Sequence, residues 1–296
     1  MKTNAQKNRL MKRAAYASLT VAIILIFLKG ITFLLTGSVA ILSSLFDSAQ
    51  DFMTSAVNMI AVRQATTPAD RKHRFGHGKA QAIGGLAQGT IILIAAVFLM
   101  YESVNRLFLP KELTQMGVGI IVTLLAIILT VALILFQAYV IRETGSLSIK
   151  ADRAHYSGDI LMNIGVIVSM LITRYVGWGY ADSLFGVGVS FYLFVVVYQI
   201  GRESMEMLMD TELPEDFRNK IRETALVFPE VSHIHALKTR RSGSHAFVQF
   251  CVHMDDTLTL RQAHNITDMI EDRIKEQYPD TEIIIHPEPD QHRSGL

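Results

Sequence analysis

Over its first two thirds the chain alternates between long apolar stretches and short polar loops, and then it changes character. A bilayer core about 30 Å thick needs roughly 20 apolar helical residues to cross it. Six segments meet that pattern: residues 14–35, 39–62, 80–101, 113–141, 151–172 and 183–200. The third, fourth and sixth carry no charge. The first is interrupted by Lys29, the second carries Asp47 and Asp51, and the fifth carries His155 and Asp159. An Asp or Lys at mid-membrane costs at least about 2.5–3.5 kcal/mol, so these residues need a reason to be there. The first stretch is longer than a signal-peptide core and no A-x-A-like site follows it, so it is expected to remain as a span.

Beyond Asp210 the pattern is that of a water-facing domain. Pro214 suits the first turn of a helix, with Phe217, Ile221 and Leu226 near one face. Residues 233–240 read as a strand, and Ser242-Gly243-Ser244 as a turn. From 245 to 254 the chain alternates. Ala246, Val248, Phe250, Val252 and Met254 share one face; His245, Phe247, Gln249, Cys251 and His253 share the other. Thr259 and Gln262 form a capping box for a helix that repeats Ile266, Ile270 and Ile274. Residues 282–286 make a last short strand. The expected architecture is therefore an α-helical membrane protein. It has six transmembrane helices within residues 1–209 and a C-terminal cytoplasmic α+β domain, ordered α-β-β-α-β, within 210–296.

Composition agrees. Half the residues are hydrophobic and mean hydropathy is +0.30, while charged residues are 19%, against roughly 25% in soluble domains. This excludes a disordered chain, a collagen-like fibre and an ordinary soluble enzyme. Cys251 is the single cysteine, so no internal disulfide framework exists. A net charge of +1 gives no global field to draw nucleic acid. The charge is distributed unevenly. Lys2, Lys7, Arg9, Lys12 and Arg13 precede the first span. Arg63, Arg71, Lys72, Arg74 and Lys79 follow the second, and Arg142, Lys150 and Arg153 follow the fourth. The opposite side has only Arg106, Lys111 and Arg174. The positive-inside rule then places both termini in the cytoplasm, as six spans require.

The chemistry lies in the charged spans. Asp47 and Asp51 are four residues apart and share one helical face, as do His155 and Asp159. Converging, they offer three carboxylates and one imidazole, a set suited to a tetrahedral divalent metal with bonds near about 2.0–2.1 Å. Bare carboxylates held together in an apolar bundle repel, so a dication or protons must neutralise them. The plainer alternative is that the acids pair with Lys29 or cap helices. Asn58 and Asn163 suit bridges between helices.

Four protein ligands leave no open position for a hydrolytic water, and no His-Glu-x-x-His is present, so a metalloprotease is disfavoured. No Gly-x-x-x-x-Gly-Lys-Ser/Thr loop is present for ATP. A closed site halfway through a bundle instead suggests a transported ion. Protons compete with metal for the same lone pairs, and His155 is the candidate proton carrier because its ordinary pKa is near neutrality. The expectation is a proton-coupled antiporter rather than an enzyme. A tetrahedral preference puts Zn²⁺ first, with Cd²⁺ as a passenger and Fe²⁺ as a further candidate, whereas the imidazole argues against Mn²⁺ or Mg²⁺. The alternative function is a membrane-anchored metal sensor without transport.

Six spans, Asp47-Ser-Ala-Gln-Asp51 on the second, His155-Tyr-Ser-Gly-Asp159 on the fifth and a small α+β tail resemble the cation diffusion facilitator family, in its bacterial zinc/ferrous-iron efflux branch. Pro68-Ala69-Asp70 and Phe75-Gly76-His77-Gly78-Lys79 strengthen the resemblance, which runs from about Arg13 to Glu288. It implies an inner-membrane homodimer, joined through the cytoplasmic domain, that exchanges metal for protons by alternating access. It implies a transport site of Asp47, Asp51, His155 and Asp159, and a loop site of Asp70, His73 and His77. It also implies a two-metal tail site matching His235, His264 and His286. There Cys251 stands where relatives have a His, and Glu288 where they have a bridging Asp. Cys is a good soft ligand for zinc, and His253, two residues on and on the same strand face, could substitute or contribute. Lys79 and Asp210 match a charge pair where membrane and tail domains meet.

Overall fold

Apolar side chains facing lipid leave the backbone no partner but itself, and the outcome is a set of long helices. A computed structural model describes residues 4–36, 39–108, 120–176, 178 and 180–290. Six helices open the chain: α1 (Asn4–Thr36), α2 (Val39–Ala65), α3 (Ala80–Phe108), α4 (Ile120–Thr144), α5 (Leu147–Val176) and α6 (Ala181–Leu208). α1, α3, α4 and α6 contain bilayer-length apolar windows. α2 and α5 are long enough but carry the ionisable groups that lower their hydropathy. Several helices outrun their apolar windows, α3 to Phe108 and α6 to Leu208, because intrahelical hydrogen bonding does not stop where the hydrocarbon does. Residues 113–119 of the fourth apolar stretch lie outside the described residues.

The chain divides into two units, 6–205 and 206–296, the latter together with residues 1–5. In the helical unit small residues let backbones approach, the usual device where lipid supplies no hydrophobic drive between helices. A Cβ added at Gly84 of α3 would lie 2.2 Å from Ala61 Cβ of α2, and one at Gly186 of α6 would lie 2.1 Å from Ser103 Oγ of α3. Met11, Ala14, Ala15, Val62, Val140 and Ile149 join α1, α2, α4 and α5. Ile92 and Ala96 pack on Val189 and Leu193. Asn58 is buried on α2. Asn163, in contrast, is exposed on α5 and is not packed between helices of this chain.

The second unit contains α7 (Glu215–Ala225), β1 (Val231–Ser242), β2 (His245–Met254), α8 (Leu260–Gln277) and β3 (Thr281–Pro289). β1 and β2 are antiparallel, with Ser242 opposite His245. The two-residue link needs a positive φ at its first position, which Gly243 supplies at +63°. β2 and β3 run parallel, which demands a crossover, and α8 provides it. Its capping box is complete: Thr259 N–H donates to Gln262 Oε1 at 2.9 Å, and Gln262 N–H donates to Thr259 Oγ1 at 3.4 Å. Val248, Phe250, Val252 and Met254 pack against Ile221, Ile266, Ile270 and Ile274. A second expectation fails here. α7 ends at Ala225, so Leu226 falls at its C-cap and is exposed, and Ala225 takes the buried place. On the opposite sheet face Phe247 is covered by the Arg240 guanidinium, 4.9 Å from the ring centroid.

Candidate metal centres

Among the described residues, three groups each bring three ligand atoms within 4.8 Å of one another: Asp51, His155 and Asp159; Asp70, His73 and His77; His235, Cys251 and Glu288.

The first group is built by α2 and α5. His155 Nε2 lies 3.0 Å from Asp51 Oδ1 and 3.8 Å from Asp159 Oδ2. His155 is 6% exposed. Asp159 Oδ2 is buried without a hydrogen-bond partner, a costly arrangement for a carboxylate unless a cation or proton joins it. Asp47, one turn before Asp51, is exposed and outside this set. Lys29 donates to Ser44 O at 3.0 Å and to Ser48 Oγ at 2.7 Å, tying α1 to the same turn of α2.

The second group lies in the loop between α2 and α3. Asp70 Oδ1 accepts from the backbone N–H groups of Lys72 and His73 at 2.8 and 2.7 Å, and Gly76 turns the chain at φ +77°. His73 Nδ1 and His77 Nε2 both face Asp70, at 3.3 and 3.4 Å, and stand 3.0 Å from each other. The backbone donors, that of His73 foremost, hold the Asp70 carboxyl below its usual range. It is therefore a ready anionic ligand at neutral pH.

The third group lies on the sheet face away from the tail core. His235 and Cys251 are register partners, as are Cys251 and His286. Glu288 Oε2 is 3.6 Å from His235 Nε2. Burial, then the neighbouring Glu288 carboxylate, pushes the Cys251 thiol up, so metal binding there must displace a proton. His286 is exposed, its Nε2 3.8 Å from Glu288 Oε1. His264 is exposed on α8 beside Asp268, at 3.6 Å, and is not gathered into the set. Asp210, at φ +54°, pairs with Arg240 at 3.4 Å within its own unit. Lys79 precedes α3 in the helical unit.

The model of the cation efflux transmembrane domain matches residues 15–209, and that of the cation efflux protein cytoplasmic domain matches residues 213–290. This chain belongs to the cation efflux family. The cation-efflux pumps FieF of Escherichia fergusonii and of Escherichia coli K12 are each 38% identical to it over 286 residues, covering 97% of this chain and 95% of theirs. The metal-bound C-terminal domain of the CzcD transporter from Thermotoga maritima is 26% identical, over 27% of this chain and 93% of that one, with a TM-score of 0.25.

This cation efflux chain also holds a buried acid that the spacing argument passes over. Asp152, fully buried on α5, accepts from Ser18 Oγ at 2.5 Å and from Gln137 Nε2 at 2.7 Å. Tyr156, next to His155, meets Ser55 Oγ at 2.8 Å. Asp152 forms no i, i+4 ligand pair, but its place within the apolar stretch 151–172 was a signal on the same grounds as Asp159. His253, which the sequence offers as a substitute or further ligand at the tail, turns toward Glu288. Its Nε2 lies 3.6 Å from Glu288 Oε2, beside His235.

Proposed function

We propose that the chain is a secondary transporter that exports divalent metal, zinc foremost with Cd²⁺ and Fe²⁺ as further substrates, from the cytoplasm in exchange for protons. Asp47, Asp51, His155 and Asp159 are its transport ligands. The observation that carries this reading is the meeting of Asp51, His155 and Asp159 from two different spans inside the helical unit. Lipid-embedded acids persist where they serve a site, and the chain's cation-efflux relatives support export as its direction. Metal and proton bind the same oxygen and nitrogen lone pairs, so arrival of one displaces the other. His155 lies against both carboxylates and is the group best placed to carry the proton. The loop trio and the tail cluster are further metal positions. We infer a homodimer joined through the cytoplasmic domain, in the inner membrane, with both termini cytoplasmic.

Purified protein in liposomes tests it. Zn²⁺ uptake should be faster with an acidic lumen than without a gradient, and Asp51→Ala should remove it. Uptake unchanged in Asp51→Ala overturns the site. A membrane-anchored sensor would bind metal and show no flux. A channel would show flux indifferent to the pH gradient.

A further inference from the structure

Asp152 is a carboxyl that the transport ligands do not account for. It lies on α5, three residues before His155, and is fully buried. Its Oδ2 accepts from Ser18 Oγ of α1 at 2.5 Å and from Gln137 Nε2 of α4 at 2.7 Å. Its Oδ1 is buried with no hydrogen-bond partner. So are Gln137 Oε1 and both amide atoms of Asn58, the α2 residue beside it. The titratable groups that lie toward it among the described residues, His155 and Tyr156, belong to its own helix and are not hydrogen-bonded to it. What α1, α2 and α4 turn toward it, Ser18, Asn58 and Gln137, bears no charge.

Two neutral donors and an orphan oxygen do not balance a bare carboxylate held out of water. A proton on Oδ1 does. The surroundings suit both states of the acid. A hydroxyl donates or accepts, and an amide presents a donor on one side and an acceptor on the other. Ser18 and Gln137 hold Oδ2 in either state. Asn58 can offer its carbonyl to an Oδ1–H or, turned over, its amide N–H to the ionised oxygen. An arginine or lysine in their place would hold the acid permanently ionised.

We propose that Asp152 is a second proton-carrying residue of the exchange, placed beside the metal ligands rather than among them. This rests on the reading of Asp51, His155 and Asp159 as the transport site. A dication held by His155, about one helical turn away, repels the proton on Asp152. The Oδ1–H bond breaks, its electron pair stays on the oxygen, and the proton leaves to the solvent on the side from which the metal entered. When the metal departs, a proton from the opposite side restores the neutral acid. Metal and proton then compete through the field between neighbouring groups as well as for shared lone pairs.

The test uses the full-length protein in liposomes, with metal and pH indicators in the lumen, so that Zn²⁺ entry and proton exit are measured together. Flux reports the transport path alone, and zinc held by the loop or the tail does not enter the ratio. Asp152→Asn keeps an acceptor for Ser18 and Gln137 but cannot carry a proton. It should still take up zinc, more slowly, and move about one proton fewer per zinc. Ser18→Ala leaves the acid in place and removes a donor that favours its ionised form. The lumenal pH of half-maximal uptake should then rise by roughly 0.5–1 unit. A purely bridging role would change the rate and leave both the ratio and the midpoint where they are. An unchanged proton-to-zinc ratio in Asp152→Asn overturns the proposal and leaves the transport site standing. Where that variant gives no flux, Ser18→Ala decides, and an unmoved midpoint overturns the proposal. Wild-type zinc flux without proton movement, or flux indifferent to Asp51→Ala, overturns the exchange itself and the proposal with it.

Discussion

Asp51 and His155 reach one another from separate helices, and each is adjacent to further polar side chains that no lipid-facing surface would carry. Ser18 and Gln137 both donate to Asp152; without that carboxylate they keep only the longer bonds, Ser18 Oγ to Ala14 O at 3.1 Å and Gln137 Nε2 to Ser18 Oγ at 3.0 Å. Asp152→Ala should destabilise the helical unit by about 1–3 kcal/mol for the hydrogen bonds lost, and Asp152→Asn by less, as read from thermal unfolding in detergent. In the loop, the folded-state pKa of Asp70 is depressed. Its contribution to the loop is therefore intact above the ordinary carboxylate value and is lost only as pH falls through the depressed one, well below neutrality. Asp70→Asn still accepts from the N–H groups of Lys72 and His73 but carries no charge. It should keep the turn and lose zinc at the loop, seen as one fewer bound equivalent per chain in equilibrium dialysis at neutral pH. An unchanged stoichiometry would remove Asp70 from the ligand set.

The places of the helices, though not their full lengths, and the α-β-β-α-β order were legible because each follows from a local period: long apolar runs, strict alternation over 245–254, and isoleucines four apart in α8. The approach of Asp51, His155 and Asp159 follows from the same helical period, whereas Asp47, on that period too, is exposed and outside the set. The pairing of rows across the tail sheet was not legible, since register depends on the Gly243 turn and on a parallel crossover that no local pattern encodes. For that reason the sequence offered His253 as a substitute or further ligand beside Cys251 without showing that it faces Glu288. The exposure of Leu226 was missed because a helix end is set by capping, not by the apolar period. Close helix contacts were also invisible, although Gly84 and Ala61 supply one. Gly84→Ala should lower the thermal midpoint, because its Cβ meets Ala61 Cβ, and adding Ala61→Gly should restore most of the loss. Additive losses in the double variant would mean that the two helices do not meet there.

The chain as a whole carries one candidate metal centre among its spans and another in its tail. If the proposed exchange holds, a pH gradient should drive Zn²⁺ uptake into liposomes and its collapse by a protonophore should slow it. The tail should tune this rate without supplying the path, so Cys251→Ser should alter the dependence of flux on metal concentration and leave measurable transport. Complete loss in Cys251→Ser would instead place the tail on the path.

The most direct measurement is a zinc-soaked crystal structure with anomalous scattering at the zinc edge. The account predicts a peak between α2 and α5, about 2.0–2.1 Å from oxygens of Asp51 and Asp159 and from His155 Nε2. Zinc peaks in the loop or the tail, with none between those two helices, would contradict it.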